Sequence, residues 1–286
     1  MTSKFQSVFR AGLFAGQAGI VTGAGSGIGR CTAHELSALG ARVALIGRKA
    51  EKLEAVAGEI AEAGGTAQCF VCDIREEERV TEAVGAALAA FGRLDFLVNN
   101  AGGQFSSPLE KISAKGWDTV VRNNLTGGFL MARECYTQWM KQHGGAVVNM
   151  IADMWNGMPG MGHSGAARAG MLNFTETAAL EWAPVRVNAV APGWIASSGL
   201  DHYPEAMREH IRALPKKVPL ARLGTESEIS AAIVFLLSPA AAFISGSCIR
   251  IDGAVPNVKP NYTLPPRGAT PAFDSFHLAT KPKVLE

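Results

Sequence analysis

Thr22-Gly23-Ala24-Gly25-Ser26-Gly27-Ile28-Gly29 lies between a short apolar run, Ala18-Gly19-Ile20-Val21, and an apolar-periodic segment over residues 28–39. That order reads as strand, glycine loop, helix. Glycines let a backbone turn tightly and come close to a pyrophosphate, and the first N–H groups of the helix, aided by its dipole, face the phosphates. A glycine triplet alone is common in turns. One set between a buried strand and a helix, near the amino terminus, is a dinucleotide-binding signature. The expected cradle is Gly23, Ser26, Gly27, Ile28 and Gly29.

Outward from this stretch, strand patterns recur at residues 42–46, 67–71, 94–98, 146–151, 186–190 and 248–251. Helical patterns occupy residues 50–63, 76–91, 117–142, 162–182 and 226–237. Apolar strands alternating with helices predict a doubly wound α/β fold, a parallel sheet covered on both faces. Residues 1–253 read as one domain. Residues 197–220 interrupt the alternation and read as a mobile helical flap. Residues 254–286 hold several prolines and few helix signals. They are expected to form an extended tail that packs on the domain or on a neighbouring subunit.

The 286 residues are 48% hydrophobic, ample for a core, and the net charge of +2 gives no case for a nucleic-acid partner. No run of about eighteen apolar residues suggests a membrane span. The start, MTSKFQSVFR, has no secretory h-region, and the end, Lys283-Val284-Leu285-Glu286, is not a peroxisomal address, which points to the cytoplasm. Five cysteines form no framework and no metal site is expected; Cys69 and Cys72 would leave a strand on opposite faces, as buried thiols and not a redox pair.

The second strand ends in Gly47-Arg48-Lys49, where an NAD site usually carries an acidic residue for the ribose hydroxyls. A carboxylate would repel a 2′-phosphate, whereas Arg48 can hold one with charge-assisted bonds, so NADP(H) is the expected cofactor. Asp73, just after the third strand, stands where it can reach the adenine amino group or cap the next helix.

Asn99-Asn100-Ala101-Gly102 follows the fourth strand, Asn124-Leu125 lies in the fourth helical pattern, and Pro192-Gly193 follows the sixth strand. With the glycine loop, these motifs resemble the short-chain dehydrogenase/reductase family over about residues 16–253. The resemblance implies a Rossmann fold of seven parallel strands, a nicotinamide cofactor, and a homodimer or homotetramer. It implies that Asn100, Ala101 and Gly102 line the cofactor, with Pro192, Gly193 and Ile195 nearby and Ser197 against the nicotinamide carboxamide.

The family's catalytic set is Asn, Ser, Tyr and Lys. Here Asn124 is kept, Ala152 stands at the Ser position, and Ser164 and Arg168 stand at the Tyr and Lys positions. The tyrosines Tyr136, Tyr203 and Tyr262 lie elsewhere in the chain. A phenol beside an ammonium normally passes the proton to or from an alcohol oxygen. Without that pair, ordinary carbonyl reduction loses its acid, which puts simple alcohol dehydrogenase activity in doubt. The string His163-Ser164-Gly165-Ala166-Ala167-Arg168-Ala169-Gly170 resembles the branch of peroxisomal trans-2-enoyl-CoA and 2,4-dienoyl-CoA reductases of fatty acid metabolism. Even there, a proton-donating side chain one turn after the basic residue would fall at Leu172, which cannot donate.

Reduction of a conjugated thioester moves charge onto the thioester oxygen, so the site needs donors aimed there. Candidate donors are Asn124, the cofactor ribose hydroxyl, His163 and Ser164. Arg168 reads as a clamp on the ribose hydroxyls, since its charge is permanent. His163 reads equally as a cap or core residue, and Ser164 as a packing residue. Asp153 is the remaining acid. Met154, Trp155, Met158 and Met161 form either an adaptable wall for an acyl chain or ordinary core. Lys216 and Lys217 stand where CoA phosphates can be met, or are simply solvated. Three functions follow: an NADPH-dependent reductase of a 2-enoyl-CoA, an oxidoreductase of another alcohol, carbonyl or terpenoid-like substrate, or a non-enzymatic NADP(H)-binding protein.

Overall fold

Every residue of β1 (Ala18–Thr22) is buried, which places this strand in the middle of the sheet. It pairs in parallel with β2 (Arg42–Gly47) on one side and β4 (Phe96–Asn99) on the other. β3 (Thr66–Val71) lies outside β2, while β5 (Ala146–Met150), β6 (Arg186–Pro192) and β7 (Cys248–Ile251) continue beyond β4. The order is β3-β2-β1-β4-β5-β6-β7, seven strands, all parallel. The computed structural model describes residues 4–203 and 205–286; the first three residues of the amino-terminal stretch and Pro204 of the flap lie outside the described residues.

Side-chain alternation along the strands builds two cores. Val21, Leu45, Phe96 and Val148 face α1 (Gly27–Ala38), α2 (Ala50–Glu62) and α9 (Glu226–Leu237). Ile20, Ala44, Leu97 and Val147 face α3 (Glu77–Phe91), α5 (Gly127–Cys135) and α7 (Gly162–Glu181). Each fully buried side chain of this size contributes about 1.5–3 kcal/mol. Gly19 is a glycine in a central strand because its register partner is Phe96, whose ring would lie 2.3 Å from a Cβ there.

The helix expected over residues 117–142 starts earlier and is not continuous. Ser113 Oγ accepts from the Gly116 N–H (3.1 Å), so α4 (Ala114–Val121) begins three residues before the apolar pattern does. Two wider π-helical segments, Arg122–Thr126 and Tyr136–Met140, separate α4, α5 and α6 (Lys141–His143). Such segments cluster at functional sites. Asn124 lies in the first of them. The flap contains two short turns and α8 (Arg208–Lys217).

The tail packs on its own domain. Thr225 Oγ1 donates to the Phe273 carbonyl (2.6 Å), and Ser227 Oγ accepts from the Ser275 and Phe276 N–H groups (3.2 and 3.1 Å). Phe276 is buried against Phe5 and Cys31, under the Arg30 guanidinium. Farther on, Asp201 of the flap accepts from the Lys283 and Val284 N–H groups (3.2 and 3.0 Å). The tail therefore runs from the start of α9 past α1 and back to the flap. Cys69 and Cys72 fall on opposite sides of the sheet, and all five cysteines are free thiols. Among the described residues no helix is long and apolar enough to cross a membrane.

Candidate active site

The chain moves outward from β1 to β3, then crosses back to β4 on the other side of β1. In such sheets the crevice at the carboxyl ends of the strands, where the order reverses, is where a ligand can sit. Here it lies between the loops after β1 and β4. Thr22 Oγ1 accepts from the Asn100 and Ala101 N–H groups (3.0 and 2.9 Å), and Asn100 Nδ2 donates to the Thr22 carbonyl (2.9 Å). These bonds hold the two loops side by side.

The glycines shape one wall. Gly23 has φ +65°, and a Cβ on it would lie 2.9 Å from Ala101 Cα. A Cβ on Gly29 would lie 2.4 Å from the Gly23 carbonyl oxygen, so the helix start is pressed directly onto the loop. Ser26 does not cap α1 with its side chain, which leaves the helix's first N–H groups without a side-chain cap. A cleft of about 320 Å³ opens here, lined by Gly25, Ser26, Gly27, Lys52, Glu226 and, from the tail, Thr280. Burial pushes the Glu226 carboxyl up to about 7.

At the other end of the crevice the buried guanidinium of Arg168 donates from Nη1 to the Met150 carbonyl, while its Nε is buried without a partner. Desolvation pushes its pKa down to about 10. Among the described residues no carboxylate pairs with it. A Cβ on Gly102 would lie 2.7 Å from Arg168 Nη2 and from Asn124 Oδ1, so only glycine lets this loop pass.

Several residues singled out in the sequence are differently occupied. Asn124 is buried and ties backbone to backbone: Nδ2 donates to the Gly103 and Val120 carbonyls (2.6 and 3.0 Å), and Oδ1 accepts from the Gly103 N–H (3.1 Å). Both its amide hydrogens are used, so it braces the loop and does not offer them to a substrate oxygen. Asp73 is gripped by Arg75 through Nε and Nη2 (2.9 and 2.5 Å) and through the Arg75 N–H (3.1 Å). These bonds hold its carboxyl below the usual range. It is thus engaged within its own loop, and the residue preceding α3 is Glu76, so Asp73 does not cap that helix. The Arg48 charge also lowers Asp73, which places Arg48 nearby. Arg48 itself is exposed and makes no ion pair among the described residues.

His163 is fully buried. Its Nδ1 accepts from the Ser164 N–H (2.9 Å), so the neutral ring carries its hydrogen on Nε2, which has no partner. The Phe105 ring packs edge-on against it at 4.4 Å. His163 is thus a core residue with one ring nitrogen left unsatisfied. Ser164, one turn before Arg168 on the same face of α7, donates its hydroxyl to Gln104 Oε1 (2.6 Å). Gln104 Nε2 in turn reaches the Tyr203 hydroxyl of the flap (3.4 Å). Neither Gln104 nor Tyr203 lies in a sequence motif, and Tyr203 is not at the helical spacing of the family's Tyr-x-x-x-Lys pair.

On the far side, a Cβ on Gly193 would meet Asp252 Cα at 2.8 Å, so the Pro192-Gly193 turn passes tightly over the end of β7. Ile195 is buried and bridges Gly224, and Ser197 opens the flap, its N–H bonded to the Ile195 carbonyl (2.9 Å). Asp153, just past β5, has a buried Oδ1 without a partner; burial and the Asp252 carboxylate push it up. Met154 and Trp155 pack beside Ile151 and Met171, and Trp155 lies under Arg250 at 5.0 Å, so both are partly core. Lys216 and Lys217 are exposed at the end of α8. No cluster of metal-ligating side chains occurs among the described residues.

A family model described as Enoyl-(Acyl carrier protein) reductase matches residues 23–255. The chain is 40% identical over 242 residues to a probable 2,4-dienoyl-CoA reductase of Bacillus subtilis, covering 82% of this chain and 94% of that one. It is 34% identical over 258 residues to the peroxisomal 2,4-dienoyl-CoA reductase of Danio rerio, covering 88% and 85%. A solved structure titled citronellol catabolism dehydrogenase (AtuB), from Pseudomonas aeruginosa PAO1, is 63% identical, covers 87% of this chain and 98% of its own, and has a TM-score of 0.79.

Proposed function

The chain belongs to the short-chain dehydrogenase/reductase family of oxidoreductases, and on that premise we propose that it is an NADP(H)-dependent enzyme that reduces the conjugated C=C of a 2-enoyl thioester. The observation that carries this reading is the Ser164/Arg168 pair on α7. One hydroxyl is spent on Gln104, and the cation beneath it is buried with Nη1 held by the Met150 carbonyl. Neither can serve as the proton relay of alcohol oxidation. Hydride addition to a conjugated thioester tolerates that loss, because the oxygen needs hydrogen bonds while the final proton goes to carbon.

The crevice fits a dinucleotide. The Gly23–Gly29 turn is packed tightly onto the loop after β4, the start of α1 carries no side-chain cap, and the orphaned Arg168 Nε suits a ribose hydroxyl. When bound, the cofactor supplies the hydride. Arg48, exposed and without an ion pair among the described residues, would hold a 2′-phosphate, which favours NADP(H) over NAD(H). Asn100, Ala101, Gly102, Pro192, Gly193, Ile195 and Ser197 would complete the cofactor wall.

The relatives' names support an acyl-CoA, and the 63% identical neighbour's title supports a branched, terpenoid-like chain. The same title favours a second reading, dehydrogenation of an acyclic terpenoid alcohol. Following NADPH absorbance with straight and 3-methyl-branched trans-2-enoyl-CoAs, and NADP⁺ reduction with citronellol, separates the two. Turnover of the thioesters alone supports the first reading; turnover of the alcohol alone replaces it with the second. NADPH binding without either favours a non-enzymatic role. The exposed Phe129 and Leu180, on α5 and α7, support a homodimer or homotetramer built on that helix face; light scattering at micromolar concentration tests it.

A further inference from the structure

We propose that Tyr203, carried on the flap, supplies the hydroxyl that hydrogen-bonds the substrate's carbonyl oxygen. The inference rests on the thioester reading above and adds to it a residue that the motifs do not identify. The other donors around the crevice are already engaged or buried. Asn124 spends both amide hydrogens on the Gly103 and Val120 carbonyls. Ser164 gives its hydrogen to Gln104 Oε1. His163 keeps a hydrogen on Nε2, but the ring is fully buried behind Phe105. Arg168 is buried beneath Gly102. The Tyr203 hydroxyl is different. It accepts from Gln104 Nε2 (3.4 Å), which leaves its own hydrogen to be donated.

The geometry orients this phenol. Ser164 fixes Gln104 by its carbonyl end, and Gln104 presents its amide to Tyr203, so three segments far apart in sequence converge above the Arg168 end of the crevice. The phenol ring is half-buried in the apolar cluster of Leu200, Ile211, Leu214 and Trp194, which anchors it at the base. The tail braces the same segment, because Asp201, two residues earlier, accepts from the Lys283 and Val284 N–H groups. A donor held in advance is what an oxygen gaining charge requires.

The bound cofactor would supply a hydride to the β-carbon; the C=C electron pair would then form the double bond toward the carbonyl carbon, and the carbonyl pair would move onto oxygen. Tyr203 O–H would hydrogen-bond that oxygen without giving up its proton. The α-carbon would then take a proton from solvent as the carbonyl re-forms.

Tyr203→Phe, a substitution that keeps the ring in its cluster, tests this. The expected result is a roughly 10²-fold lower kcat on a 2-enoyl-CoA, the usual loss for one oxyanion donor, with NADPH affinity by fluorescence and the melting temperature unchanged. Gln104→Leu should lose less, since the phenol remains but is no longer held. A readout independent of turnover is the enolate absorbance of bound acetoacetyl-CoA, which wild type should raise and Tyr203→Phe should not, while saturated butyryl-CoA binds both equally. A Tyr203→Phe enzyme with wild-type kcat and enolate band overturns the inference and leaves the thioester reading intact. A wild-type enzyme without activity on any 2-enoyl-CoA overturns both.

Discussion

Replacing Glu226 by Gln should make the protein more stable at pH 8 than at pH 5, relative to wild type. Glu226 is 7% exposed at the first turn of α9, with its Oε1 3.8 Å from where a Cβ on Gly27 would lie. Burial pushes its carboxyl from 4.5 to about 7; Arg30 opposes the rise and Asp274 adds to it. In the unfolded chain the group titrates near 4.5. Its folded value is higher, so it favours the folded state below pH 4.5, and that contribution is lost as the pH climbs through about 7. Two and a half pH units correspond to about 3 kcal/mol. The start of a helix favours negative charge, which makes this an upper bound. Urea unfolding of both proteins at pH 5, 6, 7 and 8 reads the difference directly. The Gln variant should gain up to about 3 kcal/mol on wild type across that range. Parallel curves for the two proteins would refute the reasoning. The same carboxylate faces the glycine loop, so wild-type NADPH affinity should also fall over this range and that of the variant should fall less.

Arg48→Ala should weaken NADPH by about 1.5–3 kcal/mol, the value of a charged hydrogen bond, and leave NADH nearly unchanged; fluorescence titration of both cofactors checks it, and equal losses would remove Arg48 from the 2′-phosphate. Arg168→Ala should impair cofactor binding and turnover together while Arg168→Lys keeps part of each; full activity in the Ala variant would show that the buried cation does not touch the cofactor. Asp201→Ala removes the acceptor for the Lys283 and Val284 N–H groups, so carboxypeptidase should trim the tail several-fold faster; an unchanged rate would mean that the packing of Val284 holds it alone.

The glycine loop was legible because its constraints are local. Gly23 needs a positive φ and Gly29 lies against its own loop, so residue type and spacing record the geometry. The strand and helix alternation was legible for a related reason, since Val21, Leu45 and Leu97 are buried at the period of their own elements. The site's polar wiring is not periodic. Asn124 looks like a donor in the sequence, and only the positions of Gly103 and Val120 reveal that both hydrogens are spent. Tyr203 meets Gln104 across 99 residues, a pairing that no window of sequence contains. The tail's path was equally hidden, because its backbone is held by side chains such as Thr225, Ser227 and Asp201 and not by a repeating ladder.

The most direct measurement of the proposed chemistry is the fate of a labelled hydride. The enzyme is incubated with a trans-2-enoyl-CoA and NADPH deuterated at C4 of the nicotinamide in the transferred position, and the product is examined by NMR and mass spectrometry. Conjugate reduction predicts a saturated thioester carrying one deuterium at the β-carbon and a solvent-derived hydrogen at the α-carbon. Deuterium on a former carbonyl carbon, in an alcohol product, would contradict it.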